Sequence, residues 1–132
     1  MEKHMGDGMR VVNSGSMFER DFGYARAVRL GPVVCVSGCT AAGMTGGDMK
    51  DMATQTAEAM RRAGEAMEQL GAGWADVVRT RFFVTDIDAW RAVGTVHKEL
   101  LGDARPATSI VEVSKLVLPE LMVEIEVDAY LP

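Results

Sequence analysis

Between residues 49 and 70, Met49, Met52, Thr56, Met60, Ala63, Met67 and Leu70 recur at steps of three and four. That spacing puts them on one side of an α-helix that begins near Asp48 and is closed by Gly71. A helix with one apolar stripe must lay that stripe on another apolar layer, and the rest of the chain decides which kind. Segments 33–38, 75–85, 107–114 and 121–130 are rich in β-branched residues and largely alternate, so the layer is a sheet. Tyr24 to Leu30 also alternates, and Gly31-Pro32 turns it into the strand at 33–38 as a hairpin. Val11-Val12 is a further short strand, and 17–22 reads as a connection. A second helix, capped by Asp86 or Asp88, runs through Trp90, Val93, Val96, Leu100 and Leu101 and stops at Gly102. His97 on its apolar edge reads as a packing histidine.

The order β-β-β-α-β-α-β-β describes one α+β domain over residues 10–132, behind a frayed start at 1–9. Its two helices lie on one face of a mixed sheet. The other face has no helix to cover it. Val111, Val113, Val123 and Ile125 are expected there, and covering them calls for a second copy of the chain, hence a homo-oligomer. In the strand at 75–85, Val78, Thr80, Phe82 and Val84 share one face, and Arg79 and Arg81 lie on the other with Val77 and Phe83.

Composition narrows the function classes. The 132 residues are 48% hydrophobic, enough for a core, yet no run approaches the roughly 18 apolar residues of a membrane span. The first residues also lack the apolar core of a secretion signal, so a cytoplasmic protein without a membrane partner is expected. A net charge of −5, with no basic cluster beyond Arg61-Arg62, argues against nucleic acid. Cys35 and Cys39 would stand about 13 Å apart along a strand, too far for a disulfide; they read as small buried hydrophobes. With His4 and His97 the only histidines, no zinc-like spacing exists, and neither metal nor cofactor is expected. The glycine-rich loop 39–47 matches neither phosphate-binding nor dinucleotide-binding patterns.

Ser37-Gly38 after an apolar strand, the segment VVRTRFFVTDIDAW, and above all Pro106-Ala107-x-x-x-Val111-Glu112-Val113 followed by Val123-Glu124-Ile125-Glu126 resemble the Rid family, also called YjgF or RidA, the reactive-intermediate deaminases. The resemblance spans about residues 10–130. It implies a chorismate-mutase-like fold, a homotrimer with three inter-subunit clefts, and a small-molecule ligand. It further implies that Glu124 positions or activates a water attacking an imine, and that Tyr24, Ser37 and Gly38 line the same cleft.

Two positions depart from the family pattern. Thr108 stands where deaminating members carry a carboxylate-binding arginine, and Gly94 where they commonly carry Asn. A guanidinium gives a carboxylate two charge-assisted bonds that a hydroxyl cannot match; the loss is worth about 2–4 kcal/mol. Arg26 shares strand parity with Tyr24 and is the better surrogate. Arg105 lies three residues from Thr108 and points to the opposite face. Glu112 and Glu126 read as making structural pairs, with Arg79 or Arg81 or across the trimer seam. The resulting expectation is a Rid-like hydrolase for an imine, enamine or related electrophile that need not carry an α-carboxylate, with Thr108 giving a neutral hydrogen bond. The alternative is a metabolite-binding or regulatory trimer without turnover. An endoribonuclease conflicts with the acidic charge.

Overall fold

The computed structural model describes residues 8–45 and 49–132, and residues 2–5 by their backbone alone. Strand β1 (Glu2–Met5) pairs with β2 (Met9–Val12), so the chain is already in the sheet where a frayed start was expected. Residues 1, 6 and 7, and residues 46–48 of the glycine-rich loop and helix start, lie outside the described residues.

The segment expected as a connection is a short helix, α1 (Met17–Phe22). Ser16 caps its start by accepting from the Phe18 amide, and Gly23 closes it in the left-handed conformation (φ 76°). The hairpin forms around Gly31 as expected, from β3 (Ala27–Leu30) and β4 (Val33–Cys39). Tyr24 and Arg26 precede β3 rather than sitting in it. Helix α2 (Met52–Glu68) starts at the Asp51 cap, and Met52, Thr56, Met60, Ala63 and Met67 are all buried along it, as the stripe requires.

Strand β5 (Val77–Val84) is followed by a single 3₁₀ turn capped by Asp86, then helix α3 (Trp90–Leu101), which ends at Gly102. Strands β6 (Ala107–Glu112) and β7 (Val123–Tyr130) close the chain. The seven strands take the order β1-β2-β3-β4-β7-β5-β6, antiparallel throughout except for the parallel pair β5–β6. The mixed sheet was expected; within it β6 and β7, consecutive in the chain, do not pair with each other. Strand β5 lies between them and leaves β6 at the edge.

The core lies between sheet and helices. Val34, Val36, Phe82, Val84, Val123, Ile125 and Val127 meet Met60, Met67 and Leu70 of the helical layer. Val123 and Ile125 were expected on the bare face; both are fully buried on the helix-covered one. A register shift between Val77 and Arg79 has the same kind of consequence in β5: Val77 is buried and Val78 turns outward. Cys35, expected inside, is exposed, and Cys39 is buried; both are free thiols. The face without helices carries Arg81, Glu126 and Asp128 with the exposed Val33 and Val111.

Candidate functional site

The site begins with an irregularity in the sheet. Between Val36 and Cys39, β4 has one residue more than its partner β7, so Ser37-Gly38 bulges out of the ladder. The Glu124 carboxylate lies over that bulge. A Cβ built on Gly38 would come within 1.9 Å of Glu124 Oε2, so only glycine leaves the carboxylate its place. Ser37 faces elsewhere: its hydroxyl donates to the Ala25 carbonyl at 2.7 Å. Ser37 thus fixes the bulge to the segment before β3 and does not line the cavity.

Arg26 holds the other side. Its Nε donates to Glu19 Oε2 at 3.3 Å, and its Nη1 to the carbonyl oxygens of Gly38 and Ser37 and toward Cys39 Sγ. Glu19 is buried at 4% exposure and also accepts from the Ser14 amide and hydroxyl. A buried ion pair this well bonded is a structural strut, and deleting one partner strands the other charge. The Arg26 guanidinium also lies 5.8 Å from the Tyr24 ring centroid, so the two share a surface as their spacing predicted.

Glu124, Gly38, Arg26 and Tyr24 line one open cavity of about 910 Å³, together with Phe18, Phe22, Arg61, Arg62, Val117 and Leu118. Burial pushes the Glu124 carboxyl above the ordinary carboxylate value, and the neighbouring Glu126 charge adds to this, while Arg26 partly offsets it. A carboxylate with a raised pKa in a cleft is suited to take and return a proton. Burial likewise raises the Cys39 thiol, which leaves it a protonated, inert wall residue.

Thr108 is not in this cavity. In the parallel pair it stands opposite Thr80, whose hydroxyl is 2.8 Å from Thr108 Oγ1 and 2.8 Å from His97 Nε2. Glu124 pairs instead with Phe83, one residue out of phase, so within one chain Thr108 and Glu124 face opposite sides of the sheet. His97 is the packing histidine expected, set edge-on against Phe82, and burial lowers its pKa. Arg105 sits just before β6 with φ 47°, the only non-glycine residue of positive φ among the described residues. Gly94 is on the exposed side of α3, with open space where a side chain would be. Glu126 meets Arg81 at 3.6 Å, whereas Glu112 accepts the Ile87 amide instead of an arginine.

Sequence reasoning missed Glu19, Arg62 and the two phenylalanines of α1. Arg62 reaches over the cavity to the Thr40 and Ala42 carbonyls while paired with Glu58. The signal that could have found α1 was Ser16 and Gly23 bracketing a run with phenylalanines four apart.

Residues 17–131 match the endoribonuclease L-PSP family. A Streptomyces coelicolor protein is 39% identical over 128 residues, covering 94% of this chain and 93% of its own. The solved structure of a Mycobacterium tuberculosis member of the YjgF/YER057c/UK114 family superposes with a TM-score of 0.86 at 53% identity, over 93% of this chain and 99% of that one. The chain belongs to the Rid family, the YjgF or endoribonuclease L-PSP family. A RutC family protein of Pyrococcus abyssi is 28% identical, over 81% of this chain and 85% of its own. Rid membership gives the α+β architecture its name, a chorismate-mutase-like fold. Among the described residues no helix is long and apolar enough to cross a membrane, and no group of three or more potential ligands could hold a metal ion.

Proposed function

We propose that this Rid protein hydrolyses a small imine, enamine or related electrophile in the cavity over Gly38, with Glu124 as the proton-transfer group. One observation carries the reading: a half-buried carboxylate of raised pKa, resting against the bulge where Gly38 has no side chain, in a cavity it shares with Tyr24 and Arg26. Glu124 takes a proton from water as the water oxygen bonds to the imine carbon. The nitrogen of the protonated (iminium) substrate takes up the C=N pair, giving a neutral carbinolamine. Glu124 returns the proton to that nitrogen and then accepts the hydroxyl proton as the C=O forms and the C–N bond breaks, releasing ammonia and a carbonyl compound. Tyr24 and the Gly38 backbone hold the substrate. Arg26 positions the bulge and the carboxylate, since its own contacts are already made within the protein. The reaction needs neither metal nor cofactor, and the protein works as a cytoplasmic enzyme without nucleic-acid or membrane partners.

The active form in this reading is a homotrimer. The bare face, with Val33 and Val111 exposed between charges, supports burial against another copy. Because Thr108 faces away from Glu124 of its own chain, any contact of Thr108 with substrate comes from a neighbouring copy. It then offers a hydroxyl where other members offer a guanidinium, and 2-iminopropionate should be a poor substrate. The test measures ammonia released from freshly generated imines by the wild type and by Glu124→Gln, with solution mass checked against three times the 14.3 kDa of one chain. Turnover lost in the variant with the trimer intact supports the reading; equal turnover in both refutes it.

A second reading, a metabolite-binding or regulatory trimer without turnover, draws on the neutral residue at position 108. Thermal stabilisation by a ligand with no product formed would favour it.

A further inference from the structure

The cavity has a second half that the proton-transfer chemistry does not use. Along α1, Phe18 and Phe22 stack with ring centroids 6.4 Å apart, and both line the cavity although they are 43% and 75% exposed. Large aromatic side chains left in water at the mouth of a cavity normally have an apolar contact to make. Tyr24 lines the same cavity, with the Arg26 guanidinium 5.8 Å from its ring centroid.

The charges in the cavity point the same way. Three arginines line it, and each is already paired: Arg26 with Glu19, Arg61 with Glu58 and Glu65, and Arg62 with Glu58. A substrate carboxylate would have to share a guanidinium whose charge is already matched by a protein carboxylate, and it would enter beside the Glu124 charge. A neutral imine, or its cationic iminium, faces neither cost.

Resting on the hydrolase reading above, we infer that Phe18 and Phe22 determine specificity, selecting imines or enamines that bear an aromatic substituent and no carboxylate. The ring lies on the Phe18/Phe22 wall, and the imine carbon faces Glu124. The leaving group and proton balance are those of the hydrolysis already described. Only the substituent is added.

The test compares an aryl imine, that of acetophenone, with 2-iminopropionate as substrates for the full chain and for the Phe18→Ala/Phe22→Ala variant. Both side chains are substantially exposed, so the variant is expected to fold. The inference expects the wild type to prefer the aryl imine. In the variant, KM for the aryl imine should rise about tenfold, the scale of a lost aromatic pair, with kcat little changed. Wild-type preference for 2-iminopropionate, or an unchanged KM for the aryl imine, would overturn it. Glu124→Gln separates the two claims: if it leaves aryl-imine turnover intact, the hydrolase reading itself fails. Binding of the stable ketones acetophenone and pyruvate, followed by calorimetry, gives a readout independent of turnover. Tighter acetophenone binding that weakens in the double variant supports the inference, and equal binding of both ketones contradicts it.

Discussion

Two polar clusters sit on this sheet, and they are built on opposite principles. At the β4 bulge, Glu19, Arg26 and Glu124 bring full charges into partly dehydrated surroundings, and the Glu124 carboxyl shifts upward as a result. Beside α3, Thr80, His97 and Thr108 form a chain of neutral hydrogen bonds, and burial keeps the imidazole uncharged. The first arrangement is costly to assemble and can move protons. The second is satisfied at little cost and mainly fastens the edge strand to the helix. The contrast shows why a family motif has to be read position by position: Glu124 keeps a setting for proton transfer, whereas position 108 has joined a structural network.

The contrast can be broken most severely at Glu19. Glu19→Ala leaves the Arg26 guanidinium buried without its counter-charge and should cost about 3–5 kcal/mol in urea unfolding. The seat of the Glu124 carboxylate over Gly38 should be disturbed next. The atom obstructing a new Cβ is the tip of the flexible Glu124 side chain, so Gly38→Ala should cost only about 1 kcal/mol of stability. Turnover should still fall about a hundredfold as the carboxylate is pushed aside. The neutral cluster should respond least: Thr80→Val removes the hydroxyl shared by His97 and Thr108 and should cost about 1 kcal/mol, with turnover nearly unchanged.

Acid separates the clusters further. His97 has a folded pKa below 6.5, so the stability it contributes is present above pH 6.5 and is lost as pH falls from there toward the depressed value. Glu124 acts in the opposite sense. Its raised carboxyl pKa favours the folded state at low pH, and that contribution is lost as pH rises from 4.5 through the folded value. Urea unfolding from pH 4 to 8, with Glu124→Gln and His97→Gln each removing one slope, resolves the two.

Much of this was legible in the sequence. The methionine stripe, the hairpin at Gly31 and the second helix follow from periodicity and turn chemistry, and Tyr24, Arg26, Gly38 and Glu124 do line one cavity. What was misjudged was sidedness and neighbourhood. Alternation separates the two faces of a strand but does not say which face the helices cover, so Val123 and Ile125 were assigned to the wrong one. Strand order is not written in local pattern either, and inserting β5 between β6 and β7 sent Thr108 to Thr80 and His97. Glu19 escaped because its role depends on a contact seven residues away, closed by a helix of only six residues.

In the proposed mechanism Glu124, over Gly38, transfers the proton in imine hydrolysis. The pH dependence of kcat for the aryl imine tests it most directly, measured for the wild type and Glu124→Gln. The wild type should show a limb rising with pH whose midpoint lies above the ordinary carboxylate value of 4.5, and the variant a loss of about 10²–10⁴-fold with that limb abolished. A variant that keeps both the rate and the limb would contradict it.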